Sequence, residues 1–294
     1  MGMNILSLFD GMSCGQIALN RVGIEYDNYY ASEIDKFPIK VTQSNYPETI
    51  QIGDITQVKG NQLPKIYLMM GGSPCQGFSG AGKGLNFEDP RSKLFFEFVR
   101  LLKETNPTYF LLENVNMKQE WQDIISDFLG VKPIFINSRL VSAQDRKRVY
   151  WTNIPVVGLP EDKNIKFSDV AGKDSFCAQM RGRRINPIKL TRDDYNQDLE
   201  MRQYIECRID EKANTLTTLP KSNVVVKERV PRKYIRDIDY RYLTPNEYEA
   251  LQTVPKDYTK YVSDSQRRKM LGNGWTVDVI AFIFSFLPKN IKQT

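Results

Sequence analysis

Ile5-Leu6-Ser7-Leu8-Phe9-Asp10-Gly11-Met12-Ser13-Cys14-Gly15 holds the pattern on which the fold turns. Ile5 to Phe9 is a short apolar run of strand character that breaks at a glycine-bearing turn, and from about Gly15 to Val22 apolar residues recur with helical period. Strand, turn and helix in that order open a parallel sheet covered by helices. The unit repeats outward: Tyr29 to Ser32 reads as a second strand, Lys36 towards Tyr46 as a second helix, and Ile66 to Met70 and Tyr109 to Leu112 as further strands. Before the last of these, Leu94, Phe95, Phe98, Leu101 and Leu102 recur at helical spacing, an apolar stripe whose plain reading is core packing against a sheet. The fold class is therefore α/β, with a mostly parallel sheet.

Beyond Trp151 the pattern changes. Pro155, Pro160, Pro187, Pro220 and Pro231 punctuate short strands and basic clusters. Apolar periodicity returns from Tyr242 through Leu243, Tyr248 and Leu251, and Thr276 to Leu287 reads as an apolar helix. The expected division is a first domain over 1–153, a small separate domain over 154–237, and a segment 238–294 that returns to the first domain.

With 294 residues the chain can bury a large core without disulfides or metals. Its 41 Lys plus Arg against 35 Asp plus Glu leave a formal charge of +6, which suits a polyanionic partner and equally suits a solvated surface. The absence of histidine excludes Ser-His and Cys-His nucleophile pairs and most catalytic zinc sites, so no metal centre is expected. Cys14, Cys75, Cys177 and Cys207 form no CxxC pair, which points to free thiols in a reducing cytoplasm. No stretch approaches the ~20 apolar residues of a membrane span, and Met1 to Phe9 lacks the basic start and long apolar run of a signal peptide.

The strand ends carry the polar chemistry. The Phe9 to Gly15 turn lets a ligand approach backbone, although its spacing is not the GxGxxG of dinucleotide sites. Glu33 ends the second strand, where an acid can accept from both hydroxyls of a ribose, and Asp54 follows Gly53 at the end of a further short strand expected between Tyr46 and Ile66, the third in chain order. Each acid alone reads as a solvated loop carboxylate; together the strand ends indicate an adenosyl ligand. Gly71-Gly72-Ser73-Pro74-Cys75-Gln76-Gly77-Phe78-Ser79 puts a cysteine on a permissive loop at the carboxyl edge of the sheet, where catalytic groups concentrate; a buried structural thiol is the plainer alternative. Leu112-Glu113-Asn114-Val115 adds a poorly solvated carboxylate at the same rim. Arg146 and Arg148, alternate residues of the extended run Gln144-Asp145-Arg146-Lys147-Arg148, can face one site.

In order, FDGxxxG (from Phe9), Glu33, Gly53-Asp54-Ile55, GGSPCQGFS (from Gly71), ENV (from Glu113), QDRKR (from Gln144), RYLTPNEYEALQTVP (from Arg241) and GNGWTV (from Gly272) run through nearly the whole chain. In this order the sequence resembles the DNA (cytosine-5) methyltransferase family. The forms SLFDG, ASE, GGSPC and LFFEFVRLL are most similar to the catalytic domains of de novo-type members, in a chain whose shortness suits a bacterial or phage enzyme.

The resemblance implies a Rossmann-like S-adenosylmethionine-dependent methyltransferase fold, with 154–237 as a target-recognition domain facing double-stranded DNA. It implies Cys75 as the nucleophile at carbon 6 of a flipped cytosine, Glu113 at ring nitrogen 3, Arg148 at the cytosine carbonyl, and Arg146 in support. It carries Phe9, Asp10, Gly11, Met12, Glu33, Ile34, Asp54, Ile55, Pro74, Leu94 and Asn273 into the S-adenosylmethionine pocket, with S-adenosylhomocysteine as product. Gln76, Ser79 and Asn114 go to the catalytic loop and its substrate. Arg181, Arg183, Arg184 and Lys189 are expected at the DNA backbone, each with a solvated charge as the plainer reading. The enzyme is expected to act as a monomer in the cytoplasm, with a cognate restriction nuclease as a conceivable partner. Three other functions fit parts of the pattern: a methyltransferase acting on transfer RNA, a DNA-binding regulator without catalysis, and, more distantly, a nicotinamide oxidoreductase.

Overall fold

The computed structural model describes residues 2–73, 90–186, 188 and 191–288. β1 (Asn4–Leu8) is buried at every residue and pairs in parallel with β2 (Asn28–Ser32) on one side and β4 (Ile66–Gly71) on the other. Burial on both faces is what a central parallel strand requires. β3 (Ile50–Gln51), β5 (Tyr109–Val115), β7 (Lys147–Thr152) and β6 (Ile134–Asn137) complete a seven-stranded sheet in the order β3-β2-β1-β4-β5-β7-β6. Only β7 breaks the parallel run, antiparallel to both β5 and β6.

Alternation along the strands divides two cores. Leu6, Leu8, Met69 and Leu112 point to one face, where α3 (Pro90–Thr105) inserts Phe95, Phe98 and Leu101 and α4 (Gln119–Leu129) inserts Ile125 and Leu129. Ile5, Leu68, Met70 and Leu111 point to the other. That face is covered by α1 (Cys14–Val22) and by α8 (Val277–Phe284), which brings the end of the described chain back against the first helix. α2 (Lys36–Asn45), α5 (Phe167–Ala171), α6 (Pro245–Leu251) and α7 (Asp264–Asn273) complete this part; α6 is held at its start by a reciprocal Thr244–Glu247 capping box.

A second, antiparallel sheet, β11-β9-β8-β10-β12, is built from β8 (Phe176–Arg184), β9 (Met201–Cys207), β10 (Val224–Val226), β11 (Lys233–Tyr234) and β12 (Tyr240–Tyr242). One face has its own small core of Ala178, Ile205, Val224 and Val226. On the other face Cys177 and Val225 enter the large core. β12 pairs with β10 from beyond position 237, so the sheet takes its last strand from the segment expected to belong wholly to the first domain.

The joint is polar as well as apolar. Arg208 bridges to Asp145 at 3.0 Å, and the buried Lys212 ammonium donates to the carbonyls of Arg139 (2.9 Å), Ser142 (3.1 Å) and Ile165 (2.6 Å). Three acceptors offset the desolvation of that cation and tie the loop before β7, the connection after it and the stretch after β9 to one point.

Two departures from the strand limits read by periodicity shape the site. Phe9 leaves β1 because its backbone is left-handed (φ 56°). β5 continues through Glu113 to Val115 because β7 pairs alongside, with Glu113 opposite Tyr150 and Val115 opposite Arg148.

Candidate active site

The strand order reverses between β1 and β4, and a crevice opens at such a point beyond the carboxyl ends of the strands. A cavity of about 560 Å³ occupies it. Its walls come from the ends of β1 to β5: Phe9 to Met12, Glu33 to Asp35, Asp54 and Ile55, Gly72 and Ser73, and Glu113 to Val115. Leu94 of α3 and the stretch from Gly272 to Trp275, at the end of α7 and just past it, close it from outside the sheet. Every expected cofactor residue among the described residues is on this lining; Pro74 lies outside them, as do Cys75, Gln76, Ser79 and Lys189.

The turn after β1 is wound tightly, with Phe9, Gly11 and Ser13 all left-handed (φ 56°, 58° and 59°). Glycine takes that conformation freely; for phenylalanine and serine it costs energy that the surrounding contacts must offset. Glu33 supplies part of the offset. Its Oε2 accepts from the Gly11 N–H at 2.9 Å, and its Oε1 accepts from the Ile34 and Asp35 N–H groups, each at 2.8 Å. A carboxylate has about four acceptor positions, so one remains on Oε2 for a ligand hydroxyl.

Asp10 behaves differently from the expectation for a ligand-binding acid. Its carboxylate turns into the protein, accepting from the hydroxyls of Ser13 and of Tyr29 (2.8 Å from the latter), and burial pushes its pKa up to about 6 despite those donors. What Asp10 offers the cavity is backbone. In the folded state it retains a proton that the unfolded chain, near 3.9, has already released, so its contribution to stability is lost as pH rises from about 4 to 6. Asp10→Asn should therefore gain on the parent by up to about 3 kcal/mol between pH 4 and pH 7. Urea unfolding of both proteins at the two pH values checks this; parallel profiles would refute it.

Glu113 sits inside β5 with both oxygens engaged. Arg148 Nε lies 3.0 Å from Oε1, an ion pair whose N–H is not aligned as a hydrogen bond, and Trp275 Nε1 donates to Oε2 at 3.2 Å. Next to it the Asn114 amide donates to Ser73 Oγ at 3.3 Å, fixing the last described residue before Pro74-Cys75 against the strand that carries the carboxylate.

The alternation of Arg146 and Arg148 does bring both onto the cavity wall, but with unequal freedom. Arg146 is buried and donates to the carbonyls of Leu216 (3.1 Å), Gly274 (2.9 Å) and, more weakly, Gly272 (3.5 Å). Burial lowers its pKa to about 10, so it is charged at neutral pH. It braces the wall, and Arg148 is the cation beside the carboxylate.

The basic cluster of the second sheet is largely committed. Arg183 is buried and forks onto Glu206 with two 2.8 Å bonds, while Arg184 donates to the carbonyls of Leu199 and Asp194, both at 3.1 Å. Arg183 cannot reach a phosphate without breaking a bidentate pair. Arg181 is exposed, with a single 2.9 Å bond to Gln179.

Sequence reasoning passed over Trp275 and Lys269. Trp275 stands two positions after Asn273, and the GNGWTV run itself carries it; Lys269 pairs with Asp35 at 3.0 Å, both lining the cavity, which no local pattern shows.

A doubly wound sheet with a ligand-sized cavity at its switch point and a carboxylate, a guanidinium and an indole grouped on one wall defines an α/β enzyme-type site. The model of the C-5 cytosine-specific DNA methylase family matches residues 3–175 and 168–289, and the chain belongs to that family.

Among its relatives, the orphan methyltransferase M.Rho11sI of Bacillus phage rho11s is 30% identical over 231 residues, 71% of this chain and 45% of that protein. The type II methyltransferase M1.ScrFI of Lactococcus lactis subsp. cremoris is 29% identical over 300 aligned residues, 94% of this chain and 75% of that protein. The chain thus spans under half the length of the first and three quarters of the second. Among solved structures, the Entamoeba histolytica methyltransferase EhMeth superposes with a TM-score of 0.73 at 17% identity, covering 98% of this chain and 99% of that one. Spodoptera frugiperda DNMT2 superposes with a TM-score of 0.67 at 19% identity, covering 97% and 99%. These likenesses show the fold.

Proposed function

We propose that this protein is an S-adenosylmethionine-dependent DNA (cytosine-5) methyltransferase in which Cys75 attacks carbon 6 of a flipped cytosine. The observation that carries the reading is the grouping of Glu113, Arg148 and Ser73 on one wall of the switch-point cavity, within a chain of this family. Ser73, the residue that precedes Pro74-Cys75 in the sequence, is tied by Asn114 to the strand that carries Glu113, and a carboxylate with a guanidinium is the pair needed to hold a pyrimidine edge. The other thiols are poor nucleophiles: burial pushes Cys14 and Cys177 up to about 12 and raises Cys207 as well.

The cavity fits the adenosyl cofactor. Glu33 keeps an acceptor position for a ribose hydroxyl, Asp54 is exposed at the rim, and Phe9, Ile55 and Leu94 offer apolar contact to a base. Bound S-adenosylmethionine supplies an electrophilic methyl group on a sulfonium. The residues of the chain do the rest. The Cys75 thiolate forms a bond to carbon 6, Glu113 holds a proton at ring nitrogen 3 as charge moves into the ring, and Arg148 donates to the ring carbonyl. Once carbon 5 is methylated and its proton has passed to water, the carbon 5–carbon 6 double bond re-forms and Cys75 leaves as thiolate. Flipping the base costs a few kcal/mol, which contacts in this pocket and along the DNA backbone must return.

Transfer of labelled methyl from S-adenosylmethionine to duplex DNA and to transfer RNA, with base-resolution methylation sequencing of DNA from an expressing host, tests the reading. Label is expected at carbon 5 of cytosine in a defined DNA context. Label confined to RNA, or none on either polymer, would reject it.

A further inference from the structure

We infer that Trp275 is a positioning residue that sets the orientation of the Glu113 carboxylate, and that Arg146 influences the reaction through Trp275. The inference rests on the role proposed above for Glu113.

The indole has a single N–H, and it is spent on Glu113 Oε2 at 3.2 Å, across 162 positions of sequence. Among the described residues it is the sole hydrogen-bond donor to that oxygen. Arg148 holds Oε1, but one contact leaves the carboxylate free to turn about its last torsion, which is broad and two-fold. A second contact from another direction fixes the plane. A group that must present one oxygen to a ring nitrogen depends on that plane, because small misplacements cost large factors in rate.

Two further features show that this contact is built. The loop leaves Gly72 beside it: a Cβ there would stand 2.9 Å from Trp275 Nε1 and 3.1 Å from Glu113 Oε2, crowding donor and acceptor alike. The backbone that aims the indole is clamped on both sides. The Gly274 carbonyl accepts from Arg146 at 2.9 Å and from Gln252 at 3.0 Å, and the Thr276 hydroxyl donates to Gln252 Oε1 at 2.8 Å. Arg146 therefore reaches Glu113 by way of the Gly274–Trp275 peptide, whereas Arg148 reaches it directly.

Trp275→Phe keeps the ring and removes the N–H. Under single-turnover conditions on duplex DNA its methyl-transfer rate should fall about 10- to 100-fold, the range for losing a hydrogen bond to a charged group, while dissociation constants for S-adenosylmethionine and DNA stay within about threefold. The chain has three tryptophans, so the indole N–H signal absent from Trp275→Phe in a proton–nitrogen correlation spectrum is identified at once. In Glu113→Gln that signal should move upfield as its acceptor loses charge, which a merely packed indole would not do. In the Glu113→Gln background, Trp275→Phe should add little further loss. A slow Glu113→Gln beside a Trp275→Phe at the parental rate, or an indole signal indifferent to Glu113→Gln, overturns this inference and leaves the role of Glu113 standing. A Glu113→Gln enzyme at the parental rate removes both.

Discussion

Cys75→Ser is expected to abolish methyl transfer, by roughly three orders of magnitude or more, as removal of a nucleophile does in other covalent enzymes. A serine hydroxyl is essentially un-ionised at neutral pH, whereas a thiol near its ordinary pKa of about 8.5 keeps a reactive thiolate fraction. Affinity for S-adenosylmethionine should hold, because Phe9, Glu33 and Asp54, which fit it, sit on other strand ends. A duplex carrying fluorine at carbon 5 of the target cytosine makes the covalent step visible. Thiolate addition at carbon 6 and methyl arrival at carbon 5 remain open, but release of Cys75 would require fluorine to depart as a cation. The protein should stay bonded to the DNA, giving a shifted band on a denaturing gel that needs S-adenosylmethionine and vanishes in Cys75→Ser. Active protein that forms no such band on a confirmed target would overturn the covalent mechanism even with methylation observed. A DNA-binding regulator gives neither the band nor turnover.

Glu113→Gln should slow the chemical step about 10²- to 10⁴-fold, the range for a positioned proton donor. The amide keeps the shape of the carboxylate and can still face Arg148, but it cannot hold a proton at ring nitrogen 3. The single-turnover rate is the quantity to compare, since product release can mask chemistry in the steady state. A loss confined to DNA affinity would show that Glu113 only binds.

How far the sequence was legible depended on the range over which each signal acts. The apolar run from Ile5 to Phe9 and the stripe from Leu94 to Leu102 report the geometry of a few consecutive residues, so the strands, the helices and the α/β class could be read directly. Strand ends at a switch point become a binding crevice in any such sheet, which is why Glu33, Asp54 and the Phe9 turn could be marked as one pocket before the sheet order was seen. The antiparallel direction of β7 left no such local mark, and its pairing extends β5 through Glu113.

Residue type and exposure parity ran out where partners are distant. Asp10 and Glu33 are both acids at strand ends, yet one is turned inward by Ser13 and Tyr29 and the other is held open by the N–H groups of Gly11, Ile34 and Asp35. Arg183 looked as available as Arg181 until Glu206, on the neighbouring strand, took its guanidinium.

By itself, then, the sequence determined the α/β alternation, the strand-end location of the chemistry and, through the order of its motifs, the family. Only the tertiary structure decided that Arg146 braces while Arg148 pairs, and that Trp275 meets Glu113 over Gly72. The physical reason is that periodicity is a property of neighbouring dihedral angles, whereas a hydrogen bond across 162 positions exists only after two cores have packed and brought its donor to its acceptor.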